Sequence, residues 1–134
     1  MNQNEIIDIL TTCKTIAIVG LSPKPERDSY KVAKYLQEVG YRIIPVYPRE
    51  EMILGERVYR NLDEVKESID IVNVFLNASL IEPLVEQINA RDDIQVVWSQ
   101  LGIYNDAAYA KLQNKKLILD KCIKIEHQKK QRII

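Results

Sequence analysis

Thr15-Ile16-Ala17-Ile18-Val19-Gly20-Leu21-Ser22-Pro23-Lys24-Pro25-Glu26-Arg27-Asp28-Ser29-Tyr30 is the stretch on which the fold turns. Its first five residues form a short apolar run, as expected of a strand buried on both faces. Gly20 ends the run, and a polar loop with two prolines follows. Val32, Ala33, Leu36 and Val39 then recur at helical spacing, and Gly40 supplies the stop.

The same switch of period repeats along the chain. Upstream, Ile6, Ile7, Ile9 and Leu10 predict a short amphipathic helix, a cover for the sheet or a dimer contact. Downstream, Tyr41 to Val46 reads as a second strand, with Pro45 near its end and Pro48 closing it. Arg49 to Tyr59 is a connection containing Gly55, and Asn61 caps a short helix through Val65 and Lys66. Ile69 to Phe75 is the third strand. Ser79 caps the next helix, whose buried stripe is Leu80, Leu84, Val85 and Ile88, with Pro83 tolerated in its first turn. Ile94 to Trp98 is a fourth strand, Asn105 begins a helix with Ala108 and Leu112, and Leu117 to Leu119 is a fifth strand. The tail turns helical after Asp120 and is expected to fray through the charged run His127 to Arg132.

Five strands joined by helices imply a parallel sheet, because parallel neighbours need crossover connections. Right-handed crossovers put helices on both faces. The expected fold is therefore α/β, a Rossmann-like three-layer domain over residues 1–134 with a five-stranded parallel sheet in the order 3-2-1-4-5. That order puts the ligand crevice at the carboxyl ends of strands one and four, where it reverses.

A chain of 134 residues is long enough to bury one real core. Nineteen basic side chains balance nineteen acidic ones, so there is no global field to hold a nucleic-acid backbone. No apolar run reaches the ~20 residues that span a bilayer. Met1 to Asp8 is polar and acidic, unlike a signal peptide. Cys13 and Cys122 are too few and too distant for a disulfide framework or a zinc site. These features favour the cytoplasm, with neither nucleic acid nor membrane as partner.

The loop after the first strand carries the chemistry. A following helix directs free N–H groups and partial positive charge at a ligand. Only the first glycine of a G-x-G-x-x-G pattern is present, and Pro23 and Pro25 each remove a donor. Side chains replace them: the hydroxyls of Ser22 and Ser29 and the charges of Lys24 and Arg27, with Asp28 or Ser29 as helix cap. The competing reading is a plain surface turn with solvated charges. NAD sites place an acid at the end of strand two to hold the ribose. Here Val46-Tyr47-Pro48-Arg49 has none, and Arg49 favours a phosphorylated ribose, as in coenzyme A or NADP.

With these residues together the chain resembles a known family. The loop Gly20 to Tyr30, the strand Tyr41 to Val46, Ile53-Leu54-Gly55-Glu56, Val97-Trp98-Ser99-Gln100-Leu101-Gly102 and Asp120-Lys121-Cys122-Ile123-Lys124-Ile125-Glu126-His127 look like the stand-alone CoA-binding domain proteins. That family is similar to the CoA-binding domain of the succinyl-CoA synthetase alpha subunit. The resemblance implies coenzyme A as cofactor, with NADP behind it. It puts Gly20 and Ser22 at the diphosphate, with Arg27, Ser29 and Tyr30 on the same side; Leu21 and Lys24 join them as cofactor-binding candidates from the loop itself. Val46 and Tyr47 would border the adenosine, beside the Arg49 already singled out for the ribose phosphate, and Phe75, Leu76 and Asn77 would cover the other side. Gln100 lies at the crevice mouth. Many relatives carry Asn in place of Tyr47 and Arg in place of Leu76.

Other features have a plain reading beside the sharp one. Trp98 ends a buried strand and reads as core. Cys122 and His127 suggest a nucleophile and base, but helical spacing makes them diverge. The plainer expectation is a buried thiol and a solvated helix face, the sharper one a mixed disulfide between Cys122 and CoA. The leading functional reading is a non-catalytic CoA or acyl-CoA binding module. Its alternatives are an NADP- or acyl-CoA-dependent enzyme subunit completed by a partner chain or homodimer, and a degenerate protein-interaction scaffold.

Overall fold

The apolar run at Thr15 becomes β1 (Thr15–Val19), and it lies inside the sheet with a parallel neighbour on each side. In the computed structural model, which describes residues 2–133, β1 is preceded by α1 (Gln3–Thr12). It is followed by α2 (Asp28–Glu38), β2 (Arg42–Val46), the short strands β3 (Met52–Ile53) and β4 (Glu56–Arg57), and β5 (Ile71–Val74). The rest is α3 (Ile81–Asn89), β6 (Val96–Ser99), α4 (Asp106–Tyr109), β7 (Lys116–Ile118) and α5 (Ile123–Ile133). β1, β2, β5, β6 and β7 form one parallel sheet with helices on both faces, the α/β architecture expected.

The strand order differs from expectation. It runs β2-β1-β5-β6-β7, so the third main strand pairs with the first and not with the second: 2-1-3-4-5 in place of 3-2-1-4-5. The connection after β2 explains it. Leu62, Val65 and Ile69 pack with Val72, Val74 and α3, whereas α2 packs on the opposite face with Ile16, Ile18 and Ile43. A right-handed crossover on the second face must carry the chain back past β1. The edge position of β2 also suits Pro45, which cannot donate to a ladder on both sides. The crevice therefore falls between the ends of β1 and β5, not at the fourth strand.

α1, α2 and α5 cover one face, with Ile6, Ile9, Leu10, Leu36, Ile123 and Trp98 in its core. α1 thus covers the chain's own sheet. Trp98 is fully buried and its indole N–H donates to the Lys121 carbonyl at 2.9 Å, the core role expected.

Several local details were not foreseen. The Arg49–Tyr59 connection contains the β3–β4 hairpin, turned by Leu54 and Gly55 at φ 53° and 76°. Asn61 does cap, but only a single 3-10 turn, Leu62–Glu64, through its acceptance from the Glu64 amide. Ser79 caps nothing: it lies inside a 3-10 turn, Ala78–Leu80, that leads directly into α3. Asn105 caps as expected, yet α4 ends at Tyr109, before Leu112. α5 runs through the charged segment to Ile133 without fraying. It is anchored because His127 and Glu126 are buried, and the Tyr35 hydroxyl hydrogen-bonds His127 Nδ1 at 2.7 Å.

Candidate functional site

Gly20 is the point where three strands converge. Its amide donates to the Val46 carbonyl at 2.8 Å, which ties the end of β1 to the end of β2. Its φ of +88° is a left-handed value that a glycine adopts without strain. A Cβ there would stand 2.2 Å from the carbonyl oxygen of Phe75, just beyond β5. The glycine is thus required by the chain itself, before any phosphate is considered.

Beyond Gly20 the loop is stiffened by side chains. The Ser22 amide donates to Ser29 Oγ at 3.0 Å, and the Lys24 amide donates to Ser22 Oγ at 3.2 Å. The Arg27 amide closes the turn on the Lys24 carbonyl at 3.0 Å. Neither Asp28 nor Ser29 caps α2, contrary to expectation. Arg27 occupies the cap position and no side chain accepts from the first turn, because Ser29 is engaged with the loop. The first-turn amides therefore keep their donor capacity. Both serine hydroxyls accept within the loop and keep a hydrogen to donate outward.

A cleft of about 550 Å³ lies between this loop and the segment after β5. Gly20, Ser22, Lys24, Arg27, Asp28 and Ser29 form one wall; Tyr47 and Pro48 border it beyond β2; Phe75, Leu76, Asn77 and Leu80 close the other side. Lys24 and Arg27 are exposed and make no ion pair among the described residues, so two free cations face the cleft. Asp28, expected only as a helix cap, is instead the countercharge on this wall. Leu80 is 51% exposed, an apolar surface at the rim.

Five candidates are placed elsewhere. Leu21 is fully buried in the core and Val46 is 5% exposed beneath the cleft. Tyr30 is half-buried against the core of the first face. The Arg49 side chain is exposed and does not line the cleft. Its place as an organising cation is taken by Arg60, whose Nη1 donates to the carbonyls of Tyr47, Arg49 and Glu50. This clamp fixes the Tyr47 backbone, and nothing in local patterning announced it. Gln100 is 5% exposed; its Oε1 accepts from the Ile123 amide at 3.1 Å and holds the start of α5.

Gln100 instead lines a second cleft, of about 490 Å³, on the other side of Phe75. Phe75 and Asp28 line both clefts, so the two adjoin along one wall. Leu101, Cys122, Lys124 and Ile125 complete the part that matters chemically. The expected buried thiol on a solvated helix face is thus reversed: Cys122 is partly exposed, while Glu126 and His127 are 3% and 4% exposed. The predicted divergence of Cys122 and His127 is observed, since His127 lines a separate cavity with Tyr41 and Cys13. Burial, and then Lys130, holds His127 below the usual imidazole value. Burial pushes the Cys13 thiol up, with Asp70 adding to it. At the rim of the second cleft, the Gly102 amide donates to Asp120 Oδ1 at 2.9 Å, which lowers that carboxyl and ties the loop after β6 to the end of β7.

Chemically, the first cleft suits a polyanion with an apolar end: two cations, outward hydroxyls and a helix N-terminus, facing Leu76, Leu80 and Tyr47. Among the described residues no group of three His, Cys, Asp or Glu is arranged to hold a metal ion, and no helix is long and apolar enough to cross a membrane.

The family described as CoA binding domain matches residues 14–128. An uncharacterized Bacillus subtilis protein, YneT, is 42% identical over 128 residues, covering 94% of each chain. A solved structure of a hypothetical protein from Pyrococcus horikoshii superimposes with a TM-score of 0.91 at 37% identity, over 96% of this chain and 92% of that one. The alpha subunit of an ADP-forming acetate–CoA ligase from Pyrococcus furiosus is 25% identical over 96% of this chain. The match spans only 27% of that subunit.

Proposed function

The chain belongs to the CoA-binding domain family, and on that premise we propose that it binds coenzyme A or an acyl-CoA as a module that is not by itself an enzyme. The observation that carries the proposal is the first cleft, where unpaired Lys24 and Arg27 flank an uncapped helix N-terminus opposite an apolar wall. In this reading the diphosphate lies at Ser22 and the first turn of α2. Lys24 and Arg27 take the diphosphate and the ribose phosphate, and the adenine rests on Tyr47, Leu76 and Leu80. Tyr47 borders a cleft large enough for a ligand, within the ordinary range of small-molecule pockets. That favours binding over a scaffold that has lost its ligand. The non-catalytic part is supported by the single histidine, which bonds Tyr35 and lines neither cleft.

The relationship to a ligase subunit favours a second reading for the whole assembly: a partner chain, or a second copy, supplies reacting groups to the bound thioester. A cytoplasmic location fits both readings.

Calorimetric titration of the full chain with CoA, acetyl-CoA, dephospho-CoA and NADP tests the proposal. The expected order is CoA and acetyl-CoA tightest, with dephospho-CoA weaker by about tenfold for one lost charge-assisted contact. No heat with any CoA species at millimolar concentration defeats it, and NADP binding more tightly than CoA replaces the cofactor.

A further inference from the structure

The CoA reading above leaves the second cleft unused by the nucleotide, yet this cleft continues from the first across Phe75 and Asp28. Its character changes along the way. The first cleft is cationic at the loop; the second is walled by Phe75, Leu101 and Ile125, contains Cys122, and has Lys31, Gln100, Lys124 and Gln128 as polar groups at its margin. Leu101 and Ile125 are 55% and 44% exposed, apolar surface left uncovered at its mouth.

Two buried polar groups beneath the lining of this cleft have unpartnered atoms among the described residues. Asn73 is completely buried, with neither amide oxygen nor nitrogen hydrogen-bonded. It stands two residues before Phe75, so both point to the same face of the sheet. Glu126 is 3% exposed with Oε1 unpartnered, and its amide donates to the Cys122 carbonyl at 3.0 Å.

We propose that the second cleft takes the pantetheine arm of the coenzyme and brings its sulfur to Cys122, making Cys122 a site of mixed-disulfide formation with CoA disulfides. The inference rests on the CoA reading above and extends it. An arm that is apolar in part, with two amides and a terminal thiol, matches a cleft with apolar walls, polar groups at its margin and a thiol of its own. In the exchange, the Cys122 thiolate attacks one sulfur of CoA–S–S–R, where R is a second CoA or another small thiol. The Cys122–S–S–CoA bond forms, the original S–S bond breaks, and R–S⁻ leaves and takes up the proton that Cys122 lost. The incoming disulfide is the oxidant, so the electrons balance within the exchange. Cys13 serves as an internal contrast: it is 4% exposed and lines another cavity.

The test uses the reduced full-length chain with CoA disulfide or with glutathione disulfide at equal concentration, followed by intact-mass and peptide mass spectrometry over time. A single CoA adduct on Cys122 is expected, forming about tenfold or more faster than the glutathione adduct because binding raises the effective concentration. Excess reduced CoA should slow it, Cys13→Ser should leave it unchanged, and Cys122→Ser should abolish it. Equal rates with the two disulfides, or an adduct on Cys13, overturn the inference. Calorimetry of the same reduced chain separates the two levels. CoA binding without a preferred adduct defeats the sulfur placement and leaves the cofactor reading intact, whereas no CoA binding defeats both.

Discussion

The two clefts share Phe75 and Asp28, but they are held in shape by different means. The first is a loop feature: Gly20 fixes its base, and a chain of short local hydrogen bonds among Ser22, Lys24, Arg27 and Ser29 fixes its rim. The second is a docking feature, made where α5 meets the ends of β5 and β6, and it depends on long-range contacts from Gln100 and His127. One wall of the crevice is thus encoded within about ten residues, the other by the way distant elements pack.

The largest expected effect separates folding from binding at the first cleft. Gly20→Ala adds a Cβ against the Phe75 carbonyl in a left-handed backbone, so nothing flexible can yield. We expect a loss of about 3 kcal/mol or more, from strain plus displacement of β5. Thermal unfolding should show it directly, as a fall in Tm on the order of 10 °C. A variant with unchanged Tm would mean that the loop can move away from β5, and that the two clefts are not rigidly joined at Phe75.

The next effect falls on affinity alone. Lys24→Ala with Arg27→Ala removes two exposed, unpaired cations from the first cleft, so stability should change little. CoA affinity should drop by about ten- to a hundredfold, the yield of two charge-assisted contacts discounted for solvent exposure. The loss should shrink as salt rises. Equal affinity in the double variant would move the phosphate site away from this loop.

The same contrast explains what could be read from the sequence. The first cleft was legible because its chemistry is contiguous: Gly20, Ser22, Lys24, Arg27 and Ser29 are neighbours in the chain, and the strand–turn–helix pattern placed them at a crevice. Phe75, Leu76 and Asn77 joined them only through family resemblance. The partner strand across the crevice was misplaced because every main strand is apolar enough to fit several positions. Pro45 within the second strand argues for an edge, which the order 3-2-1-4-5 denies it. The Arg60 clamp and the inward turn of Glu126 and His127 were illegible for a different reason. Their partners are 10 to 13 residues away for Arg60, and 92 away between His127 and Tyr35. A charged run reads as solvated until the packing of its helix is known.

The smallest effect examines that packing through pH. His127 is buried between α2 and α5, accepting or donating at Tyr35, with Tyr41 edge-on and Lys130 nearby. Its folded-state value lies below the ordinary 6.5, lowered first by burial and then by Lys130. The unfolded chain therefore binds a proton over a range where the folded chain does not, and stability must rise with pH across that range. The contribution is fully present above 6.5 and is lost as the pH falls from there toward the folded-state value. Stability is expected to begin falling at mildly acidic pH, ahead of the acid limb on which Asp93 and Glu67, both held low by arginine partners, take up protons. Chemical denaturation at a series of pH values should show this early slope in the native chain. His127→Gln, which keeps a polar group for Tyr35 without a titrating one, should flatten it. Because His127 joins α5 to the helix that forms the first cleft, the slope also reports whether the two clefts come apart together. If CoA binding weakens over the same pH range in the native chain but not in His127→Gln, α2 and α5 hold the crevice as a unit; if only stability changes, the first cleft stands on its loop alone.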